Sequence, residues 1–196
     1  MENRILIIGD ELFGEQGEVA SRVAEMLLCR QPSRPMQFSI NSPVPLSLPQ
    51  LLARAASDII GKKAGRIVLG LGLTDLKKDS GSGFLTAENY TSLVRELVNK
   101  TQSGIFVVTV PPDSVPGVSD KAEILNNAIR AFETAFPSRV KVFDFAGHAD
   151  IFKQKQLERG KFARSLYSED AKPTSLCITL ESLFLQDCIL RELEDK

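Results

Sequence analysis

The sequence predicts an α/β fold: a three-layer α/β/α sandwich around a flavodoxin-like, five-stranded parallel sheet of order 2-1-3-4-5. Two observations carry this expectation. Short, predominantly apolar runs recur along the chain, at Ile5–Ile8, Ile67–Leu71 and Ile105–Val110, as expected of strands covered on both faces by helices. Between them lie segments whose apolar residues fall at helical spacing. Strand, helix, strand, helix, joined by right-handed crossovers, leaves few other arrangements.

The first strand, near 4–8, runs into Gly9-Asp10-Glu11, after which Val19, Val23, Met26 and Leu27 mark one face of a helix. Pro32 and Pro35 precede a second strand at Met36–Ile40, and Asn41-Ser42-Pro43-Val44-Pro45 reads as an irregular loop. Pro49 suits the first turn of a helix carrying Leu51, Leu52, Ala55, Ala56, Ile59 and Ile60. A third strand over 67–72 ends in Leu73-Thr74-Asp75, and the polar segment Lys77–Gly83 reads as a loop. Thr86 is the expected N-cap of a helix burying Tyr90, Leu93, Val94, Leu97 and Val98. A fourth strand over 105–110 stops at Pro111-Pro112-Asp113. Asp120 with Glu123 then resembles a capping box for a helix lined by Ala122, Leu125, Ile129, Phe132 and Phe136. The fifth strand, 140–143, leads into a stretch partly helical around Ile151–Leu157. A final helix from about Thr174 to Leu193 is expected to turn Leu176, Leu180 and Phe184 toward the sheet, beside the first helix.

Composition narrows the classes of function. A chain of 196 residues, 43% hydrophobic and 25% charged, suits one domain spanning 1–196. Lys plus Arg is 24 against 25 Asp plus Glu, so nucleic acid and anionic membrane are not expected partners. No apolar run is long enough to span a bilayer, and the start lacks the pattern of a secretory leader, which makes a cytoplasmic location the expectation. Cys177 and Cys188 share one expected helix, about 16 Å apart by helical rise, too far to bridge. With Cys29 they read as reduced thiols. His148 is the one histidine, so no multi-histidine metal site can form. Neither a metal nor a cofactor is expected.

Ligands of doubly wound sheets bind beyond the carboxyl ends of the strands, where Gly9-Asp10-Glu11 and Gly72-Leu73-Thr74-Asp75 both fall. In this order the landmarks resemble the SGNH, or GDSL-like, hydrolase superfamily over nearly the whole chain. The first motif, with Leu12, matches that family's Gly-Asp-Ser-Leu, whose serine is the nucleophile. The second matches its Gly-x-Asn-Asp block, whose asparagine serves the oxyanion hole. The Val107–Pro112 strand end and the Asn126–Arg130 helix are also similar to the family. Asp170-Ala171-Lys172-Pro173-Thr174 corresponds to its Asp-x-x-His-Pro, with Asp170 matched if the spacing is one residue shorter.

The resemblance implies a serine esterase, and the residues depart from it at each working position. Glu11 replaces the nucleophile, Thr74 the asparagine and Lys172 the histidine. The Asn41-Ser42-Pro43 loop offers no glycine amide, and Pro43 has no N–H. An acyl-transfer site needs nucleophile, base and oxyanion donors together. The expectation is therefore a domain without esterase chemistry that binds a small ligand or a protein partner. The candidate residues are Asp10, Glu11, Asn41, Ser42, Thr74, Asp75 and Lys172, with Asp170 at the remaining triad position. Lys172 is expected between Glu11 and Asp170, with Thr74 donating its hydroxyl to Glu11. The alternative is an active esterase or acylhydrolase with a rewired site. A remoter one rests on the likeness of Gly9–Gly17 to the start of hydrogenase-maturation metalloendopeptidases.

Overall fold

The computed structural model describes residues 3–13, 17–32, 36–41, 47–78, 82–112, 119–160, 164–168 and 172–194. Five strands form one sheet: β1 Arg4–Gly9, β2 Gln37–Asn41, β3 Arg66–Gly70, β4 Gly104–Val108 and β5 Val140–Phe143. All pairings are parallel, in the order β2-β1-β3-β4-β5. Ile7 lies opposite Ile40 on one side and Val68 on the other, and Val68 in turn opposite Phe106. β3 is buried along its whole length and β1 from Ile5 onward, which is why their sequences are aliphatic without alternation.

Helices cover the sheet in two groups, completing the α/β/α sandwich. α1 (Glu18–Arg30) and α8 (Ser175–Glu194) pack along one another, joined at the surface by Arg22 donating to Thr179 at 3.2 Å. α5 (Phe84–Lys100) packs against both α2 (Leu48–Ala53) and α6 (Ser119–Ala135). Among the described residues no helix is long and apolar enough to cross a membrane.

Several elements differ from the sequence reading. The helix expected over 49–60 is broken into α2, α3 (Ala55–Asp58) and a 3₁₀ turn at Ile60–Lys62. Ser47 starts α2 with a capping box to Gln50, but at Arg54 the ladder fails. The Arg54 amide is shared between the Gln50 and Leu51 carbonyls, and the Ser57 hydroxyl donates to the Arg54 carbonyl at 3.0 Å, a side-chain bond that competes with the helix. α4 (Leu73–Lys78) occupies the start of the expected loop, burying Leu73 and Leu76 one turn apart. α5 is capped by Gly83 rather than Thr86. Gly83 has φ 84°, and a Cβ there would meet the Lys121 backbone at 2.9 Å, so only glycine fits. β4 ends at Val108 because the N–H and C=O of Val110 are taken instead by the Asn126 side chain, at 2.9 and 2.7 Å. Asp120 lies inside the first turn of α6, not at its cap. α7 (Phe145–Glu158) starts directly after β5, capped by Asp144. α8 lies along α1 as expected, but its buried stripe is Cys177, Glu181, Leu185 and Ile189, one residue on from the expected Leu176, Leu180 and Phe184, which are only partly covered.

Candidate functional site

The carboxyl ends of β1 and β3 are built around one ring and one carboxylate. Gly9 and Gly70 face each other across the sheet, and the Phe13 ring lies where a Cβ on either would sit. That seats the 3₁₀ turn Glu11–Phe13 flat on the strand ends. Asp10, nearly fully buried, then collects the neighbouring amides. Its Oδ1 accepts the Leu12 N–H at 2.9 Å, and its Oδ2 accepts those of Gly72 at 2.7 Å and Thr74 at 3.0 Å. Gly72 reaches this position at φ 111°, open to glycine but strained for other residues. Burial pushes the Asp10 carboxyl up to about 6 against the pull of these three donors, with Asp75 adding in the same direction.

Glu11, the next residue, turns outward. Its carboxylate pairs with the ammonium of Lys77 on α4, the two side chains 27% and 21% exposed. The Glu11 backbone N–H donates to Thr74 Oγ1 at 3.5 Å. Asp75 faces away, its Oδ2 accepting the Leu48 N–H at 2.9 Å and so tying the start of α2 to α4.

No family model matches the chain, and neither does any curated protein. Solved structures do. An α/β hydrolase from the metagenome of Lake Arreo, Spain, superposes with a TM-score of 0.75 at 14% identity, over 96% of this chain and 94% of that one. An acetylxylan esterase from Geobacillus stearothermophilus gives 0.69 at 15% identity over 98% and 96%. A protein placed in the lipolytic G-D-S-L family, from Desulfitobacterium hafniense, gives 0.67 at 14% identity over 94% and 98%. The fold is that of the SGNH hydrolases. At these identities the likeness concerns the chain path, and the chemistry rests on this chain's own residues.

In the SGNH frame, Glu11 stands where the resemblance puts the nucleophile, and Thr74 one helical turn from Lys77. Two expectations are corrected. The ion partner of Glu11 is Lys77, not Lys172, and Thr74 accepts from the Glu11 backbone rather than donating to its carboxylate. Lys172 is exposed. Its carbonyl accepts the Ser168 N–H at 2.9 Å, and its own N–H donates to the Ser168 hydroxyl at 3.2 Å, beside the Tyr167–Pro173 bridge. Asn41 ends β2 opposite Ile8, so its backbone borders the site. Its side chain, Ser42 and Asp170 lie outside the described residues.

Sequence reasoning missed three features of this edge. Lys77 is one, hidden because its helix was read as loop. The second is a buried group beside Asp10. Glu181 on α8 is fully buried with neither oxygen hydrogen-bonded. Burial, and after it the nearby Asp10, push its carboxyl well above the usual range. The buried Tyr167 hydroxyl and the Cys177 thiol beside it lie alongside. Burial and Glu181 push that thiol up to about 12, so it is no nucleophile at neutral pH. The third is Asp144. Burial works against its ionisation, yet the Thr109 hydroxyl at 2.8 Å and Arg130 at 3.2 Å hold it below the ordinary carboxylate value.

His148 sits on α7 with its ring 4.8 Å from that of Phe184. Burial lowers its pKa, and Lys155 lowers it further. Among the described residues no three His, Cys, Asp or Glu side chains converge in a way that could hold a metal ion.

Proposed function

We propose that this SGNH-fold domain has lost serine-esterase chemistry and acts by binding a ligand or protein partner at the carboxyl edge of β1 and β3. The observation that carries the reading is the Glu11–Lys77 ion pair at the nucleophile position. Hydrolysis at that point would need a hydroxyl with a base at hand; a carboxylate clamped by an ammonium supplies neither. The backbone donors are also spoken for. The N–H groups of Leu12, Gly72 and Thr74 point inward to Asp10, and that of Glu11 points to Thr74. None of these four is left aimed at a developing oxyanion.

Binding remains open to this edge because the same pair is only partly covered. Two opposite charges in the crevice where doubly wound sheets take their ligands suit a polar or zwitterionic group. The test is hydrolysis of short-chain p-nitrophenyl esters by the intact protein. Release no faster than with heat-inactivated protein is expected. Saturable turnover that survives further purification would reject the proposal.

A further inference from the structure

A second place on the molecule has the makings of a binding site, and it shares no residue with the first. Between the last two turns of α7 and the start of α8 lies a cleft of about 730 Å³, lined by Phe152, Lys155, Gln156, Arg159, Arg164 and Leu176, with Gly160 at its edge. That volume is in the range of small-molecule sites. Among the described lining residues three are cations and none is an acid. No ion pair formed among the described residues involves Lys155, Arg159 or Arg164.

The charge is concentrated here rather than spread. The chain as a whole carries a net charge of -1, yet residues 153–164 hold five basic residues against one acid. Like charges lining one cleft repel, weakly where solvent and salt screen them, and an anion between them turns that repulsion into attraction. The backbone helps to shape the cleft, since the Arg164 N–H donates to the Gln156 side-chain carbonyl at 2.9 Å and holds Arg164 against α7. Leu176, the second residue of the 20-residue α8, brings the start of that helix to the wall of the cleft. Phe152 and Leu176, both partly buried, give the cleft an apolar wall.

We infer that this cleft binds a phosphate ester: a multiply charged anionic group held by Lys155, Arg159 and Arg164, attached to a ring or acyl portion lying on Phe152 and Leu176. Guanidinium forks match phosphate oxygens two at a time, and a group bearing two or more charges answers three cations better than a single carboxylate does. The ester could be a soluble nucleotide-like molecule or the headgroup of a phospholipid, which present the same chemistry.

The experiment titrates the full chain with inorganic pyrophosphate by calorimetry, with a fluorescent N-methylanthraniloyl ATP by anisotropy, and with phosphatidylcholine vesicles with and without phosphatidic acid by co-sedimentation. Saturable binding of the soluble probes, weakening as salt rises, is expected. Arg159→Ser with Arg164→Ser, both exposed positions, should weaken it tenfold or more. Phe152→Ala should weaken the nucleotide severalfold and leave pyrophosphate unchanged. Binding only to vesicles containing phosphatidic acid, lost in the double variant, supports the site and assigns it to a lipid headgroup. No saturable binding in any arm overturns the inference, as does binding that the double variant retains in full. Ester turnover by the protein has no bearing on either outcome.

Discussion

Replacing Glu181 with leucine should stabilise the protein, by an amount that grows with pH. The side chain is fully buried in α8 and neither carboxyl oxygen has a hydrogen-bond partner. A buried polar group left unpaired costs about 1–3 kcal/mol, and leucine removes both oxygens at similar volume. This sets the expected gain in mild acid, where the carboxyl is protonated in both the folded and the unfolded chain. Above that range the two states differ. The folded-state pKa is raised by burial and by Asp10, so the native protein holds a proton that the unfolded chain sheds. Its stability is therefore fully present below the unfolded pKa and is lost as pH rises toward the folded one. The loss is up to ~1.4 kcal/mol per pH unit until the folded pKa is passed. Asp10, pushed up to about 6, titrates in the same sense, but it does so in both proteins and largely cancels in their difference. Urea unfolding followed by circular dichroism at about pH 4 and about pH 7 measures the effect. A gain of 1 kcal/mol appears as roughly 2–4 °C in Tm for a chain of this size. Glu181→Gln should abolish the pH dependence of the difference while giving little gain in acid. A Glu181→Leu variant less stable than the parent, or a difference that does not change with pH, would refute the reasoning.

Three further outcomes follow from the geometry. Asn126→Ala should lower stability by about 2–4 kcal/mol in urea unfolding, because the buried N–H and C=O of Val110 both lose their partner. Gly70→Ala should cost at least 1–3 kcal/mol, since the new methyl collides with the Phe13 ring; adding Phe13→Leu should recover part of that loss in the same thermal melt. Glu11→Ser should change stability by less than about 1 kcal/mol, the ion pair being partly exposed. It should also leave p-nitrophenyl acetate hydrolysis at background, because the Leu12, Gly72 and Thr74 amides stay turned inward to Asp10.

The sheet was legible because its three central strands are apolar on both faces, and the order of five runs with helical spacers admits few topologies. What the sequence hid was mostly a matter of register and reach. In α8, apolar residues at 176, 180 and 184 and at 177, 185 and 189 define two neighbouring stripes. Hydrophobicity alone chose the one without Glu181, and packing against α1 chose the other. α4 is too short to show a period, though Leu73 and Leu76 at i, i+3 followed by Lys77 and Lys78 at a helix end were its available signal. With that helix unread, the approach of Lys77 to Glu11, 66 residues away in sequence, had nothing to point to it. Residue types pointed to a cation beside Glu11, but they named Lys172 where Lys77 fills the place, and they gave the Thr74 hydroxyl the wrong role. At the Arg54 break in the second helix the backbone bonds are shared between i−3 and i−4 carbonyls and joined by the Ser57 hydroxyl, a local detail that spacing patterns do not register.

The proposed absence of acyl chemistry at the Glu11 position bears on the whole reading of this SGNH-like fold. Its most direct test is intact-mass analysis of the full chain after prolonged incubation with excess fluorophosphonate, a reagent that marks activated serines wherever they lie. The account predicts the unmodified mass throughout, with Glu11→Ser equally unlabelled. Stoichiometric addition of one phosphonate to the parent protein, at any serine, would contradict it.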